Sequence, residues 1–233
     1  MEEEVRIVGL STSPRVAANT EYMVREALLA GEKLGTQLGF LVDTEFCSLA
    51  GKKILPCCDC HLCIKHKRYC VMADDWLDTI KMLIEPVPDG LILGSPVYFF
   101  HMNSLGRAFM ERCTTLLKKV WEPDFPFEPP DFSRTAGGAI AVGSSRNAGI
   151  EHTMSDILHW LLMMGFVTIG GLGIGGGGWT REDDSRNAIA KDPTSLEAAR
   201  LVGQKVTKTA VLLKRGAATF EKELPFIFRK PIS

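Results

Sequence analysis

The most informative stretch for the fold is GLILGSPVYFF, residues 90–100. Its first five residues, Gly90–Gly94, form a fully apolar run of strand length, and polar and aromatic residues follow it. A strand without polar positions has to be covered on both faces, which is typical of a parallel strand in an α/β protein. We therefore predict a buried parallel strand that ends in a polar and aromatic loop.

Similar apolar runs lie on both sides of this stretch and alternate with helical patterns. Five strands that alternate with helices predict an α/β fold with an open, doubly wound parallel sheet and helices on both faces. The other four strands are predicted at Val5–Leu10, Leu41–Ser48, Ala136–Val142 and Phe166–Ile169. The helices are predicted from a capping residue at Asn19 or Thr20, from Asp74 to before Pro86, and at Asn103–Lys119, Glu151–Met164 and Thr194–Lys214. We expect one domain over residues 1–214, with an inserted cysteine-rich loop at 54–73 and a C-terminal arm at 215–233.

Composition excludes several classes of function. The chain has 233 residues, 45% of them hydrophobic, and a formal net charge of -1. A chain with almost equal numbers of acidic and basic residues lacks the broad positive electrostatic field that non-specific nucleic-acid binding needs. We therefore expect no nucleic-acid partner. The start, MEEEVRIVGL, is acidic where a signal peptide would be basic, and glycine interrupts the most apolar stretch, 160–178. We expect a cytoplasmic protein without a membrane-spanning segment.

A polar loop follows the first predicted strand. It contains Ser11, Ser13 and Arg15 and leads to Asn19 and Thr20 at the start of a helix. Hydroxyl groups, an arginine and free N–H groups at a helix N-terminus suit a phosphate group. Because the patterns GxxxxGK[ST] and GxGxxG are both missing, ATP and the usual NAD site are disfavoured. The alternative is an ordinary turn between a strand and a helix.

Two more loops follow later strands. The run Pro96, Val97, Tyr98 and Phe99 can lie against a flat ring, although aromatic residues at a sheet edge can also belong to the core. The loop from Gly143 to Gly149 is polar and glycine-rich, so its backbone can approach a ligand closely. Ligands bind at the carboxyl ends of the strands in such sheets, so we expect all three loops to form one site. The pattern GxSxG is absent, and we predict no catalytic side chain.

Five cysteines are concentrated in residues 57–70. Cys57, Cys60, Cys63 and Cys70 follow the pattern C-x2-C-x2-C-x6-C, in which closely spaced thiolates can hold an iron–sulfur cubane. Cys58 is adjacent and could substitute for a neighbour. His61 and His66 keep a zinc site open, and a redox disulfide or buried thiols without a metal are further alternatives. Cys47 and Cys113 are isolated and are predicted to be core thiols.

Three motifs together resemble the iron–sulfur flavoproteins, a branch of the NADPH-dependent FMN reductase family. SPRVAANT, residues 13–20, resembles the family's phosphate loop, and GSPVYF, residues 94–99, resembles its flavin-ring loop. ILPCCDCHLC with Cys70 and the following Asp74-Asp75 resembles its compact cysteine motif. Thr12 and Ala18 depart from the family, which usually has glycine at both positions.

The resemblance implies a flavodoxin-like fold with strand order 2-1-3-4-5 and an FMN site at the strand ends. It implies a phosphate site at Ser11, Ser13, Arg15, Asn19 and Thr20, and a ring site at Pro96, Val97, Tyr98 and Phe99. The loop that closes the site would contribute Gly143, Ser144, Arg146, Gly149 and Glu151. A homodimer or homotetramer is also implied, with the flavin near a subunit interface.

The function that these features predict is electron transfer by FMN and a [4Fe-4S] cluster, held by Cys57, Cys60, Cys63 and Cys70. The partners would be a one-electron carrier such as ferredoxin, or NAD(P)H, and an acceptor reduced by the flavin. One alternative is an NAD(P)H-dependent FMN or quinone reductase without a cluster. Another is a zinc-stabilised binding module without a redox role.

Overall fold

A parallel β-sheet forms the centre of the molecule. The computed structural model describes residues 4–144, 149–170, 174–176 and 188–220. The strands are β1 (Glu4–Ser11), β2 (Leu41–Ser48), β3 (Gly90–Tyr98), β4 (His101–Met102), β5 (Ala136–Gly143), β6 (Val167–Thr168) and β7 (Ile174–Gly176). The helices are α1 (Asn19–Leu38), α2 (Leu62–Lys65), α3 (Trp76–Ile84), α4 (Ser104–Arg112), α5 (Ile150–Met164) and α6 (Pro193–Phe220). Two 3-10 helices, Cys113–Val120 and Ala188–Lys191, complete the described elements.

The order of the main strands is β2-β1-β3-β5-β6, and these neighbours are parallel. The predicted order 2-1-3-4-5 differs slightly from this arrangement. The fifth predicted strand is represented by two short strands, β6 and β7, which pair with the start and the end of β5. In addition, β4 pairs with β3 in the antiparallel direction.

Alternating side chains of the central strands pack on opposite faces. Ile7 and Ile92 contact α1 and α6, whereas Val8 and Leu91 belong to the core beneath α3, α4 and α5. β3 is buried without interruption from Gly90 to Pro96. The prediction of a central strand covered on both faces is confirmed.

Helices α1 and α6 pack closely on one face of the sheet. A Cβ atom at Gly203 of α6 would lie 1.8 Å from the Ala27 carbonyl oxygen of α1. No side chain fits in that space, so glycine at position 203 sets the distance between the two helices.

Two helical predictions are wrong in detail. The helix predicted at Asn103–Lys119 changes to a 3-10 helix at Cys113. At the start of α1 the N-cap is Ala18, which has no side-chain hydrogen bond to the helix. The Glu21 carboxylate instead accepts the Ala17 N–H at 2.9 Å, which stabilises the turn before the helix.

The C-terminal helix is longer than expected. α6 runs to Phe220, so it includes the first residues of the predicted C-terminal arm. The rest of that arm, 221–233, lies outside the described residues. None of the described helices is both long and apolar enough to cross a membrane.

Candidate functional site

The three loops singled out in the sequence begin at the same edge of the sheet. In the strand register, Ser11 at the end of β1 is opposite Gly94 of β3, and Pro96 of β3 is opposite Val142 of β5. β1 and β3 are also the strands at which the chain reverses its direction across the sheet. In a doubly wound sheet, ligands bind at this reversal point beyond the carboxyl ends of the strands.

A cleft of about 220 Å³ lies at this edge. Nine of the predicted cofactor residues line it, together with Ala18 and Val142, which were not among the predicted cofactor residues. The nine are Ser13, Arg15, Asn19, Thr20, Pro96, Val97, Tyr98, Gly143 and Ser144.

The N-terminus of α1 supplies the polar end of the cleft. The first intrahelical hydrogen bond of α1 runs from the Tyr22 N–H to the Ala18 carbonyl, at 3.0 Å. The preceding N–H groups of the first turn therefore have no partner within the helix and favour an anion. The Asn19 side chain binds another segment of the chain, since its Oδ1 accepts the Ile189 N–H at 3.2 Å.

The departures from the family's glycines have different structural consequences. Ala18 has φ -107°, which any residue adopts, so alanine there causes no backbone strain. The left-handed residue of this turn is its neighbour Ala17, with φ 48°. Thr12 is fully buried, and its hydroxyl donates to Asn103 Oδ1 at 2.8 Å.

Asn103 joins the first loop to the second. Its Nδ2 donates to the Thr12 carbonyl at 2.7 Å, and its Oδ1 also accepts the Ser95 hydroxyl at 3.1 Å. Asn103 is 1% exposed, so these bonds are protected from water. They hold the end of β1, the end of β3 and the start of α4 together beneath the cleft.

The second loop is a two-residue hairpin turn between Tyr98 of β3 and His101 of β4. Phe99 and Phe100 have φ of 48° and 71°, which is the pattern of a type I′ turn and is costly for bulky residues. Phe99 is 98% exposed and lies outside the residues that line the cleft, whereas Tyr98 forms part of its wall.

The third loop closes against that hairpin. Gly149 has φ 90°, and a Cβ atom there would lie 2.4 Å from the Phe100 Cα, so only glycine permits this approach. Neither Gly149 nor the exposed Glu151 lines the cleft. Ser11 is also absent from its lining, because it is fully buried and its Oγ faces the Ser13 N–H at 3.4 Å. Arg146 lies outside the described residues.

A second cavity lies beside the cysteine-rich loop. All five clustered cysteines line it: Cys57, Cys58, Cys60, Cys63 and Cys70. All seven cysteines of the chain lie in described segments and are free thiols. A hydrogen bond to Cys60 raises the pKa of the Cys58 thiol.

The donor set of this cavity suits an iron–sulfur cluster. In the described segments, no three His, Cys, Asp or Glu side chains are arranged to hold one shared metal ion. The cavity is lined by five thiols, and the irons of a cubane are held by cysteine thiolates. Asp59 and His61, the two sequence neighbours of Cys60, both have positive φ, which is a costly backbone conformation.

The same cavity is bordered by α4 and the 3-10 helix that follows it. Arg112, Thr114, Thr115 and Lys118 line it, and no pattern in the sequence predicted a role for them. Arg112 is 1% exposed and forms an ion pair with Asp74, whose side chain is also fully buried. Burial alone would raise the pKa of Asp74, but hydrogen bonds from the Leu55 N–H, Arg112 and the Trp76 N–H outweigh it and lower the pKa.

The two isolated cysteines lie in the core, as predicted. Cys47 and Cys113 are 7% and 1% exposed and pack among apolar side chains beneath α3 and α4. Burial raises the pKa of both thiols, which keeps them protonated and chemically inert.

Known proteins match both the sequence and the fold. The family model for NADPH-dependent FMN reductase matches residues 5–179. An iron–sulfur flavoprotein of Methanocaldococcus jannaschii is 34% identical over 220 residues, which cover 91% of this chain and 100% of that protein. One from Archaeoglobus fulgidus is 33% identical, over 83% of this chain and 91% of the relative.

The chain belongs to the NADPH-dependent FMN reductase family, in its iron–sulfur flavoprotein branch. It is a flavoprotein oxidoreductase, and the resemblance found in the sequence is confirmed. Among solved structures, a flavone reductase has a TM-score of 0.63 at 16% identity. That match covers 90% of this chain and 64% of the flavone reductase, and it supports the fold alone.

Proposed function

We propose that this flavoprotein carries FMN and a [4Fe-4S] cluster and transfers electrons between a one-electron carrier and an acceptor reduced by the flavin. The observation that carries the proposal is the pairing of two sites in one chain. One is the cleft at the carboxyl edge of the sheet, and the other is a separate cavity lined by five thiols. When bound, FMN exchanges one or two electrons and the cluster exchanges one, which suits a relay between the two kinds of partner.

The residues of the cleft suit the parts of FMN. The N–H groups at the start of α1 and the nearby Arg15 would hold the phosphate group. Pro96, Val97 and Tyr98 would form a wall against the ring, and Gly143 and Ser144 would approach its polar edge. Phe99, Gly149 and Glu151 do not line the cleft, so we assign them no contact with the flavin within one subunit.

The thiols of Cys57, Cys60, Cys63 and Cys70 would hold the cluster as thiolates. Cys58 is exposed, as are Cys57 and Cys60, but it lies outside the C-x2-C-x2-C-x6-C spacing, and we propose that it is not a ligand. The redox partners would be a carrier such as ferredoxin, or NAD(P)H. We further propose a homodimer or homotetramer, because the aromatic side chains of Phe99 and Phe100 are largely exposed on the hairpin beside the cleft.

Anaerobic purification followed by measurement of flavin, iron and sulfide tests the proposal. We expect the flavin absorption bands together with a broad brown shoulder, and four iron and four sulfide atoms per chain, as a [4Fe-4S] cluster requires. Yellow protein without iron would favour the reductase without a cluster. Colourless protein that contains zinc would favour the binding module.

Cysteine variants test the ligand set. Cys60→Ser should remove the brown shoulder and the iron but leave the flavin bands, because the two sites are separate. The matched control is Cys58→Ser, the exposed neighbour, which should keep both pigments. Iron and sulfide retained in Cys60→Ser would contradict the assignment, as would their loss from Cys58→Ser.

A further inference from the structure

Four polar residues at the end of α4 and in the following 3-10 helix line the cysteine cavity: Arg112, Thr114, Thr115 and Lys118. Thr114 is exposed, and the other three are spaced three residues apart. A 3-10 helix has three residues per turn, so residues three apart lie directly above one another. Arg112 precedes this helix, Thr115 and Lys118 follow at intervals of three, and all three line the cavity with the cysteines. An α-helix would rotate each successive member of such a row away from the cavity.

Two members of the row have buried polar groups without a partner. Among the described residues, Arg112 Nε and Nη2 and Thr115 Oγ1 make no hydrogen bond. Arg112 is 1% exposed and Thr115 is 3% exposed, so water does not satisfy these groups. A buried donor without a partner is unfavourable and calls for a ligand or another explanation.

Arg112 is held in place by its other contacts. Its Nη1 pairs with Asp74, and its guanidinium lies 5.0 Å from the centre of the Trp76 ring. The Arg112 guanidinium is therefore held in one place, because its contacts with Asp74 and Trp76 allow the side chain little freedom. Lys118, at the other end of the row, is only partly buried and adds a second positive charge.

We propose that Arg112, Thr115 and Lys118 form a donor row that hydrogen-bonds to the sulfur atoms of the cluster and raises its reduction potential. This inference rests on the proposed function. A cluster held by four thiolates is an anion, and reduction adds one more electron to it while no bond to the row forms or breaks. Donors and positive charges near the sulfur atoms stabilise the more negative, reduced form more than the oxidised form.

A redox titration of the intact protein, followed through the visible and electron paramagnetic resonance signals of the cluster, tests the row. Thr115→Val removes only the hydroxyl and keeps the shape of the side chain. At a fixed solution potential, we expect the ratio of reduced to oxidised cluster to fall about tenfold, which is about 59 mV for a one-electron couple. Lys118→Gln should lower the ratio in the same direction, with less effect at high salt. Iron, sulfide and the flavin potential should be unchanged in both variants.

Thr207→Val is the matched control. Thr207 on α6 also has a fully buried hydroxyl without a partner in the described part of the chain, but it faces α1 at Gly31 and not the cysteine cavity. Its cluster potential should equal that of the unchanged protein.

The outcomes separate this inference from the proposed function. Anaerobic protein without iron and sulfide would overturn the proposed function itself. Protein with a full cluster whose potential is unchanged in both Thr115→Val and Lys118→Gln would overturn the donor row and leave the proposed function standing. An equal shift of the cluster potential in Thr207→Val would also overturn the donor row, because the shift would then follow from the loss of any buried hydroxyl group.

Discussion

At the scale of single residues, a buried ion pair connects the cysteine cavity to the core. Asp74 accepts the Leu55 N–H at 2.9 Å and the Trp76 N–H at 3.2 Å in addition to its contact with Arg112. One carboxylate thus accepts hydrogen bonds from the chain before and after the five clustered cysteines. The pair stabilises the structure only while both charges are present, because either charge alone would be buried without compensation.

The Asp74 carboxylate should make stability depend on acid pH. Its pKa is lowered in the folded protein, so its contribution is complete above the pKa of the unfolded chain, about 3.9, and is lost as the pH falls through the lower folded value. Asp74→Asn should reduce the free energy of unfolding near pH 7 by about 3–5 kcal/mol. The difference from the unchanged protein should narrow as the pH falls below about 4.

Urea unfolding between pH 3 and pH 7 measures this effect. Asp78→Asn, which changes an exposed carboxylate on α3, is the control and should leave the profile unchanged. A constant difference between Asp74→Asn and the unchanged protein over this range would contradict the assignment.

At the scale of elements, contact between helices depends on small residues at particular positions. α1 and α6 are both amphipathic and cover the same face of the sheet, and their backbones nearly touch at Gly203 and Ala27. The opposite face contains α4, whose continuation as a 3-10 helix brings Arg112, Thr115 and Lys118 to the cysteine cavity.

Gly203→Ala should separate α1 from α6. The new methyl group would overlap the Ala27 carbonyl oxygen, which is rigid backbone, so we expect a loss of about 3 kcal/mol in the free energy of unfolding. Gly216→Ala lies on the same helix, where an added Cβ would meet no atom within 4 Å, and it should instead stabilise the protein by about 1 kcal/mol. Denaturant unfolding measures the stability of both variants. Equal effects would show that the substitutions act only through helix propensity, and would contradict the proposed overlap at Gly203.

At the scale of the whole molecule, the cleft at the sheet edge exists only when three distant segments are folded together. Its lining comes from residues 13–20, 96–98 and 142–144, which share one edge through β1, β3 and β5. The unfolded chain has no such site, so a ligand of the cleft binds only the folded state and stabilises it.

Removal of FMN should therefore lower the thermal stability. At free FMN about one hundred times its Kd, binding contributes about 2.7 kcal/mol, or roughly 5–10 °C in Tm for a chain of this size. Riboflavin, which lacks the phosphate group, should give a smaller shift, because the N-terminus of α1 would have no anion to hold. Scanning calorimetry of the flavin-free protein with each compound measures both shifts, and equal shifts would contradict the phosphate site.

The sequence by itself determined β1, β2, β3 and β5, the covering of both faces of the sheet, and the loops that begin at its carboxyl edge. The bounds of β2, Leu41–Ser48, agree with the prediction, and the apolar run at Gly90–Gly94 is buried on both faces. These features follow from local patterns, since the length of an apolar run and the residues that end it are properties of neighbours along the chain.

Only the tertiary structure decided which distant residues meet. Asn103 bonds to Thr12, ninety-one positions away, and Arg112 lies in the cavity of Cys57–Cys70. The spacing of residue types along the sequence does not predict such contacts, because they depend on how the helices pack against the sheet and on the change to a 3-10 helix at Cys113. Asparagine and arginine are ordinary residues in and next to helices. Asn103 and Arg112 gain their particular hydrogen bonds only when packing buries them beside another segment of the chain.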